Sequence, residues 1–303
     1  VSTNKTIANS TSFVLASKVK DYFLLIKFTL SFMVVFSSVI SCLLVPGVNK
    51  EGFDIGAVLL LFVGGMLVTG SSNTVNQILE RDTDKLMNRT ASRPVASGRM
   101  STTEAWIFAL LTGITGVWIL YGFSPEAGWL SLLSLLLYGF VYTPLKKVNS
   151  IAVLVGAIPG ALPCLIGWVA GSPDNWLGGW VLFAIQFLWQ FPHFWAIAWV
   201  AHGDYSRAGF KLLPSDKGPT RFTALQTIMY SALMIPVGIL PYLLHISGFW
   251  SLWVLLACNV GMVALSVQLF LKMDVSSARK VMFGSYFYLM IVLLSLYADK
   301  FKG

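Results

Sequence analysis

The chain is 303 residues long, 56% hydrophobic and only 11% charged, with a mean hydropathy of +0.74, whereas an ordinary soluble domain is about 25% charged. Such a composition excludes a soluble domain of useful size and leaves room for roughly nine membrane spans of about 20 apolar residues each. Cys42, Cys164 and Cys258 stand far apart in apolar runs, which excludes a disulfide framework and a structural zinc site.

The expected fold is all-α, a polytopic membrane protein with nine transmembrane helices around a central cavity. Residues 1–21 read as a cytoplasmic segment and residues 22–300 as one nine-helix domain. Apolar periodicity places the spans at about Tyr22 to Val45, Ile55 to Leu79, Thr103 to Tyr121, Trp129 to Tyr142, Ile151 to Ala170, Trp176 to Val200, Phe222 to His245, Phe249 to Lys272 and Val281 to Ala298. The fourth is short for a span.

Nine spans put the connecting loops alternately on two sides. The N-terminal segment and the loops after the even-numbered spans carry 18 of the 21 Lys and Arg residues, and the other side carries Lys50, Lys300 and Lys302. Because cytoplasmic loops accumulate basic residues, the N-terminus is expected in the cytoplasm. The net charge of +8 is then topogenic and points to no nucleic acid. The first 20 residues show no small-residue cleavage site after a short apolar core and no arginine, so a bacterial inner membrane is expected rather than an organelle.

The long connections, about Glu80 to Thr102 and about Ala201 to Arg221, share the basic side and can face one cavity. Asn76, Glu80 and Asp84 leave span two at i, i+4 and i+8; if the helix continues for two turns they lie within about 80° of each other. Arg81, Lys85 and Arg89 form a basic stripe beside them, turned by about 100°. Like charges at i, i+4 repel, and the carboxylates sit at the negative end of the helix dipole, so a divalent cation would relieve the arrangement. Mg2+ takes one or two carboxylates together with phosphate oxygens, and Arg forks match the remaining oxygens. The chemistry implied is Mg2+-diphosphate binding at a membrane surface; the competing reading is a solvated helix end. In the second loop, Asp204 follows span six much as Glu80 follows span two, beside Arg207, Lys211, Asp216, Lys217 and Arg221.

Two further groups lie inside spans. Tyr138 and Tyr142, one turn apart, can stabilise a cation or anchor the helix at the interface. Gln186, Gln190 and His193 fall within about 60° on one face of span six, so they line a cavity or bind a neighbouring helix. His193 reads either as an iron ligand or as a core histidine satisfied across helices. The scarcity of other ionisable residues away from span ends argues against a transporter.

The segments NQILERDTDKLMNRT, SRPVASGRMS, YTPLKK, VGAIPGALPCLIGW, QFPHFWAIAW and DYSRAGFKLLP, in order from about Gly65 to Pro214, resemble the protohaem IX farnesyltransferases, a branch of the UbiA superfamily of intramembrane prenyltransferases. The resemblance implies farnesyl transfer from farnesyl diphosphate to a vinyl group of haem B, giving haem O, with haem A synthase as a candidate partner and the lipid bilayer as surroundings. A sister reading within the superfamily has a phenolic quinone precursor as acceptor. The implied metal ligands and catalytic residues are Asn76, Glu80, Asp84 and Asp204, with Mg2+ as cofactor. Arg89, Arg93, Lys146 and Lys211 are the implied diphosphate contacts, His193 the haem contact, and Tyr138, Tyr142, Gln186 and Gln190 the cavity lining. The superfamily's second acidic motif is incomplete, since Ala208 stands four residues after Asp204.

In a background lacking native cysteines, single cysteines at positions 89 and 211 should resist a membrane-impermeant thiol reagent applied to intact cells, and a cysteine at position 47 should react. Labelling at 89 or 211 would overturn the topology.

Overall fold

The computed structural model describes residues 17–48, 54–215 and 217–301. Lys50, Asp216 and Lys302, all used in the sequence reading, lie outside the described residues. In chain order the helices are α1 (Ser17–Leu25) and α2 (Phe28–Leu44), then α3 (Ile55–Leu79), α4 (Arg81–Asp84), α5 (Thr102–Tyr121), α6 (Pro125–Leu136), a π-helical turn (Leu137–Tyr142), α7 (Thr143–Leu145), α8 (Ala152–Gly171), α9 (Leu177–Val200), α10 (His202–Arg207), α11 (Arg221–Leu243), α12 (Phe249–Lys272) and α13 (Val275–Ala298). Among the described residues eight helical segments are long and apolar enough to cross a membrane, with Pro125–Leu145 taken as one, and the bent pair α1 and α2 makes a ninth.

Three span ends differ from the periodicity. The first span is broken, α1 meeting α2 at 50°, because Lys27 adopts the left-handed conformation at φ 50°. A break strands carbonyls that a bilayer leaves unsatisfied at high cost, and α3 supplies the donors. Gln77 Nε2 donates to Leu24 O at 3.0 Å and Leu25 O at 2.8 Å, and Asn73 Nδ2 to Ile26 O at 3.2 Å. The fourth span starts earlier than expected, with Ser124 capping the Ala127 N–H and Pro125 in the first turn. Its short apolar stretch is extended to membrane length by the π turn and α7. The ninth also starts earlier, at Val275, under an Asp274 cap, because charged Arg279 and Lys280 are tolerated on its exposed side.

The spans form a ring in which α2 packs on α3 and α8, α5 on α3 and α6, α8 on α6 and α9, α9 on α11 and α13, and α12 on α11 and α13, while α13 returns to α2. Helices α8 and α9 are the inner pair, 78% and 67% buried over their apolar windows against 28 to 39% for the other seven-turn or shorter spans. Close approach needs small residues. A Cβ on Gly167 would lie 1.8 Å from the Ser38 backbone oxygen, and one on Gly178 2.2 Å from the Trp168 ring. Ser41 Oγ donates to Cys164 O across the same α2–α8 contact at 2.5 Å.

Gly167→Ala must push α2 and α8 apart, since the obstructing atom is backbone. It should lower stability by at least about 2 kcal/mol, within or above the usual range for overpacking. Thermal unfolding in detergent checks this against Gly261→Ala, whose added Cβ meets nothing within 4 Å.

Candidate functional site

Helix α3 ends at Leu79, and Glu80 turns the chain at φ −96°, ψ 6° before α4. The helical hydrogen bonds run through this kink nonetheless: Glu80 N donates to Asn76 O at 3.0 Å and Asp84 N to Glu80 O at 2.7 Å. Asn76, Glu80 and Asp84 therefore keep one face, and all three are buried. Asp82, on the opposite side, is exposed and takes Arg81 and Lys85 as partners. The expected basic stripe divides there, because Arg89 lies beyond the end of α4 and turns to Tyr205, donating to its hydroxyl at 2.8 Å.

Each buried residue of the polar face meets a cation from a different segment. Arg93 grips both oxygens of Asp84 at 2.9 and 2.8 Å. Burial pushes the Asp84 carboxyl upward from the usual carboxylate range, with Arg93 opposing it. Lys146, delivered by the π turn and α7, pairs with Glu80. Lys27, at the break of the first span, donates to Asn76 Oδ1 at 2.8 Å. Asn76 is oriented from its other end, its Nδ2 donating to Thr143 Oγ1 at 3.2 Å while that hydroxyl donates to Tyr138 O at 2.8 Å.

These groups open onto a cavity of about 290 Å³ lined by Lys27, Asn76, Glu80, Arg89, Arg93 and Lys146 on its polar side and by Tyr138, Tyr142, Phe194 and Phe210 on its aromatic side. Lys27, Arg89, Arg93 and Lys146 are four basic side chains against the two carboxyl groups of Glu80 and Asp84, an excess that suits an anionic ligand. The Tyr138 and Tyr142 rings lie 5.3 Å apart, and Lys146 sits 4.8 Å from the Tyr142 ring centre. Gly156 makes room for that ring, since a Cβ there would fall 2.6 Å from it. Leu30 and Tyr138 also border a second, narrower chamber of about 80 Å³ with a mainly apolar lining, running into the bundle.

Among the described residues no group of three or more His, Cys, Asp and Glu is arranged to hold a metal ion. Glu80 Oε1 is buried without a hydrogen bond, facing the Lys146 ammonium as a bare ion pair. With Asn76 Oδ1 it gives two oxygens on one wall of the cavity, which fits an ion that completes its shell from phosphate oxygens. It does not fit an all-protein cage.

Several expected site residues lie elsewhere. Asp204 belongs to α10 and pairs with Arg207, because the one-turn helix brings the two together at i, i+3; it does not line the cavity. Lys211 is on an adjacent pocket with His202 and Ser215, its backbone N–H bound to Lys146 O at 2.7 Å. Gln186 and Gln190 are braces for α8 rather than cavity lining: Gln186 Nε2 donates to Gly160 O at 2.8 Å and Gln190 Nε2 to Ala157 O at 2.9 Å. His193 is buried between α9 and α13, its ring stacked on Trp189 at 4.7 Å and its Nδ1 2.8 Å from Ser285 Oγ. Ser285 donates its own proton to Met282 O at 2.6 Å, so Nδ1 is the donor and Nε2 carries the lone pair. Lys27, Thr143 and Tyr205 were missed by sequence reasoning. A lone lysine inside an apolar span was the available signal for Lys27; nothing in the spacing marks the other two.

Residues 24–291 match the model of the UbiA prenyltransferase family. The chain is 44% identical over 288 residues to a protohaem IX farnesyltransferase of Cytophaga hutchinsonii, covering 94% of this chain and 99% of that one. It is 39% identical over 293 residues to one of Flavobacterium psychrophilum, covering 93% and 94%. Among solved structures, a digeranylgeranylglyceryl phosphate synthase superposes with a TM-score of 0.78 at 22% identity, covering 95% of this chain and all of the other. A UbiA homologue from Archaeoglobus fulgidus bound to GPP and Mg2+ gives 0.63 at 17% identity, covering 91% and 99%.

Arg89→Gln and Lys27→Gln should each weaken binding of inorganic diphosphate by at least about tenfold, the worth of one charged hydrogen bond, while Lys85→Gln changes it by less than about twofold. Calorimetric titration in detergent measures all three.

Proposed function

We propose, from the premise that this chain belongs to the UbiA prenyltransferase family, that it transfers the farnesyl group of farnesyl diphosphate to a vinyl group of haem B, giving haem O. The observation that carries the donor half is the junction of the four-cation cavity with a buried apolar chamber, which matches a diphosphate head on a prenyl tail. The acceptor is inferred from relatives that are 44% and 39% identical over nearly the whole chain.

In this reading the diphosphate displaces the internal partners of the cations. Lys27, Arg89, Arg93 and Lys146 close on its oxygens, Asn76 and Glu80 would hold a metal ion beside the head, and Asp84 stands behind Arg93. Mg2+, when bound by Asn76 and Glu80, would add charge neutralisation on the leaving group. As the bond between C1 and the diphosphate oxygen breaks, the electron pair leaves with the diphosphate, and the fixed cations stabilise it there. The allylic cation forms beside the Tyr138 and Tyr142 rings, whose faces favour positive charge. The apolar walls keep water from capturing it before the vinyl group attacks. The vinyl π pair forms the bond to C1 and leaves a cation on the carbon next to the porphyrin ring; water bonds to that carbon and loses a proton, giving the hydroxyethylfarnesyl side chain.

On the acceptor side the proposed contact is His193 Nε2, left as an electron-pair donor by the Ser285 bond, one residue before cavity-lining Phe194. Residues 22–300 act as one domain in a bacterial inner membrane with the N-terminus in the cytoplasm, a setting from which haem A synthase could receive the product.

Mass spectrometry of the products made by purified protein from haem B, farnesyl diphosphate and Mg2+ tests the reading, with 4-hydroxybenzoate as competing acceptor. Farnesylated haem is expected; prenylated phenol would move the protein to the sister activity. Glu80→Gln and Asp84→Asn should each lower turnover by about 100-fold, the scale seen when one group stabilising developing charge is removed. Asp82→Asn, exposed and turned away, should stay within about threefold of wild type. Activity that persists in EDTA would remove the metal.

A further inference from the structure

A second pocket, of about 250 Å³, adjoins the diphosphate cavity across a partition of Tyr205, Phe210 and Leu212 that lines both. Its polar lining is His202, Ser206, Lys211 and Ser215, all from the second long connection, and Ala198 and Leu213 add an apolar wall. The segment is anchored directly to the donor site. Lys211 N donates to Lys146 O at 2.7 Å, and the Phe210 ring centre lies 5.2 Å from the Lys146 ammonium. Gly218, at φ 80°, gives the imidazole of His202 its place, since a Cβ there would fall 2.5 Å from Nε2 and the left-handed conformation favours glycine. Among the described residues no carboxylate pairs with Lys211. Asp204 of the same connection is engaged by Arg207, so the Lys211 charge is left for a ligand.

The donor set differs from that of the neighbouring cavity. Four basic side chains serve the diphosphate there; here a single ammonium stands with an imidazole, two hydroxyls and a short apolar wall. One compact charge with neutral hydrogen-bonding groups suits a singly charged carboxylate on a methylene arm. Resting on the farnesyl-transfer reading, we infer that this pocket is the carboxylate subsite of the acceptor and that a haem propionate occupies it, with Lys211 as its charged contact. In haem B the propionates stand on the porphyrin edge away from the vinyl groups. A vinyl group brought to C1 in the donor cavity therefore turns the propionate edge outward, and the pocket beyond Tyr205 and Phe210 is the recess that adjoins it. His202, Ser206 and Ser215 bind the same carboxylate, while Ala198 and Leu213 pack on its methylenes.

The test compares haem B with its dimethyl ester, which keeps the vinyl groups and the iron but removes both carboxylate charges. Binding is read by Soret titration of the full-length protein in detergent, and turnover with farnesyl diphosphate by mass spectrometry. Lys211→Gln should weaken haem B binding by at least about tenfold, the worth of one charged hydrogen bond, and leave the ester within about twofold of wild type. Lys211→Arg keeps the charge and should recover haem B binding to within about threefold. The KM for farnesyl diphosphate should stay within about twofold in both variants. Lys280→Gln, exposed in the first turns of α13, is the control and should change neither acceptor. Equal losses for haem B and its ester, or no loss for either, would overturn the subsite. A matching rise in the farnesyl diphosphate KM would also overturn it, by assigning the pocket to phosphate. Failure of the transfer reading looks different: wild type would bind haem B in a Lys211-dependent way and yield no farnesylated haem.

Discussion

Charge burial at the end of a membrane bundle is the constraint around which this structure is arranged. Asn76, Glu80 and Asp84 share a buried face, and a buried carboxylate is tolerable only when a cation and hydrogen bonds replace its water. The cations come from three places that regular helices would not bring together. Lys27 requires a left-handed residue at a broken span, Lys146 follows a π turn, and Arg93 folds back from a nine-residue excursion beyond Asp84. The irregular features of the fold thus serve one electrostatic need, which agrees with the tendency of π turns and broken helices to occur at working sites.

The excess of cations over carboxylates gives the cavity its chemical sense. Two of the four positive charges are matched internally; the others rest on neutral oxygens, Asn76 Oδ1 for Lys27 and the Tyr205 hydroxyl for Arg89. Those neutral partners can be exchanged for other oxygens without breaking an ion pair, so Lys27 and Arg89 are the two basic groups most readily turned to an anion. Tyr205 comes from the second long loop, and Met87 packs with Ala208 and Phe210, so the two loops cover the cavity jointly.

Rigidity behind the cavity comes from α8 and α9. Their glycines permit contact at backbone distance, and Gln186 and Gln190 tie the helices together through carbonyl acceptors on α8. Pro163 cannot donate to Pro159 O, and Ser134 Oγ takes that role at 3.2 Å. Polar side chains inside the bilayer here hold helices in place, which is why the glutamine stripe read from periodicity proved to be internal bracing.

Much of the architecture was legible from the chain. Apolar run lengths determined the all-helical membrane fold and nearly every span, because a bilayer core demands about 20 apolar residues per crossing. The i, i+4, i+8 spacing determined that Asn76, Glu80 and Asp84 share a face, since helical periodicity is local. Only the tertiary structure decided that Lys27 and Lys146 meet that face, that Lys211 stays outside and that His193 faces Ser285. Lys27 and His193 find partners 49 and 92 residues away, and no period in the sequence encodes where a neighbouring helix bends.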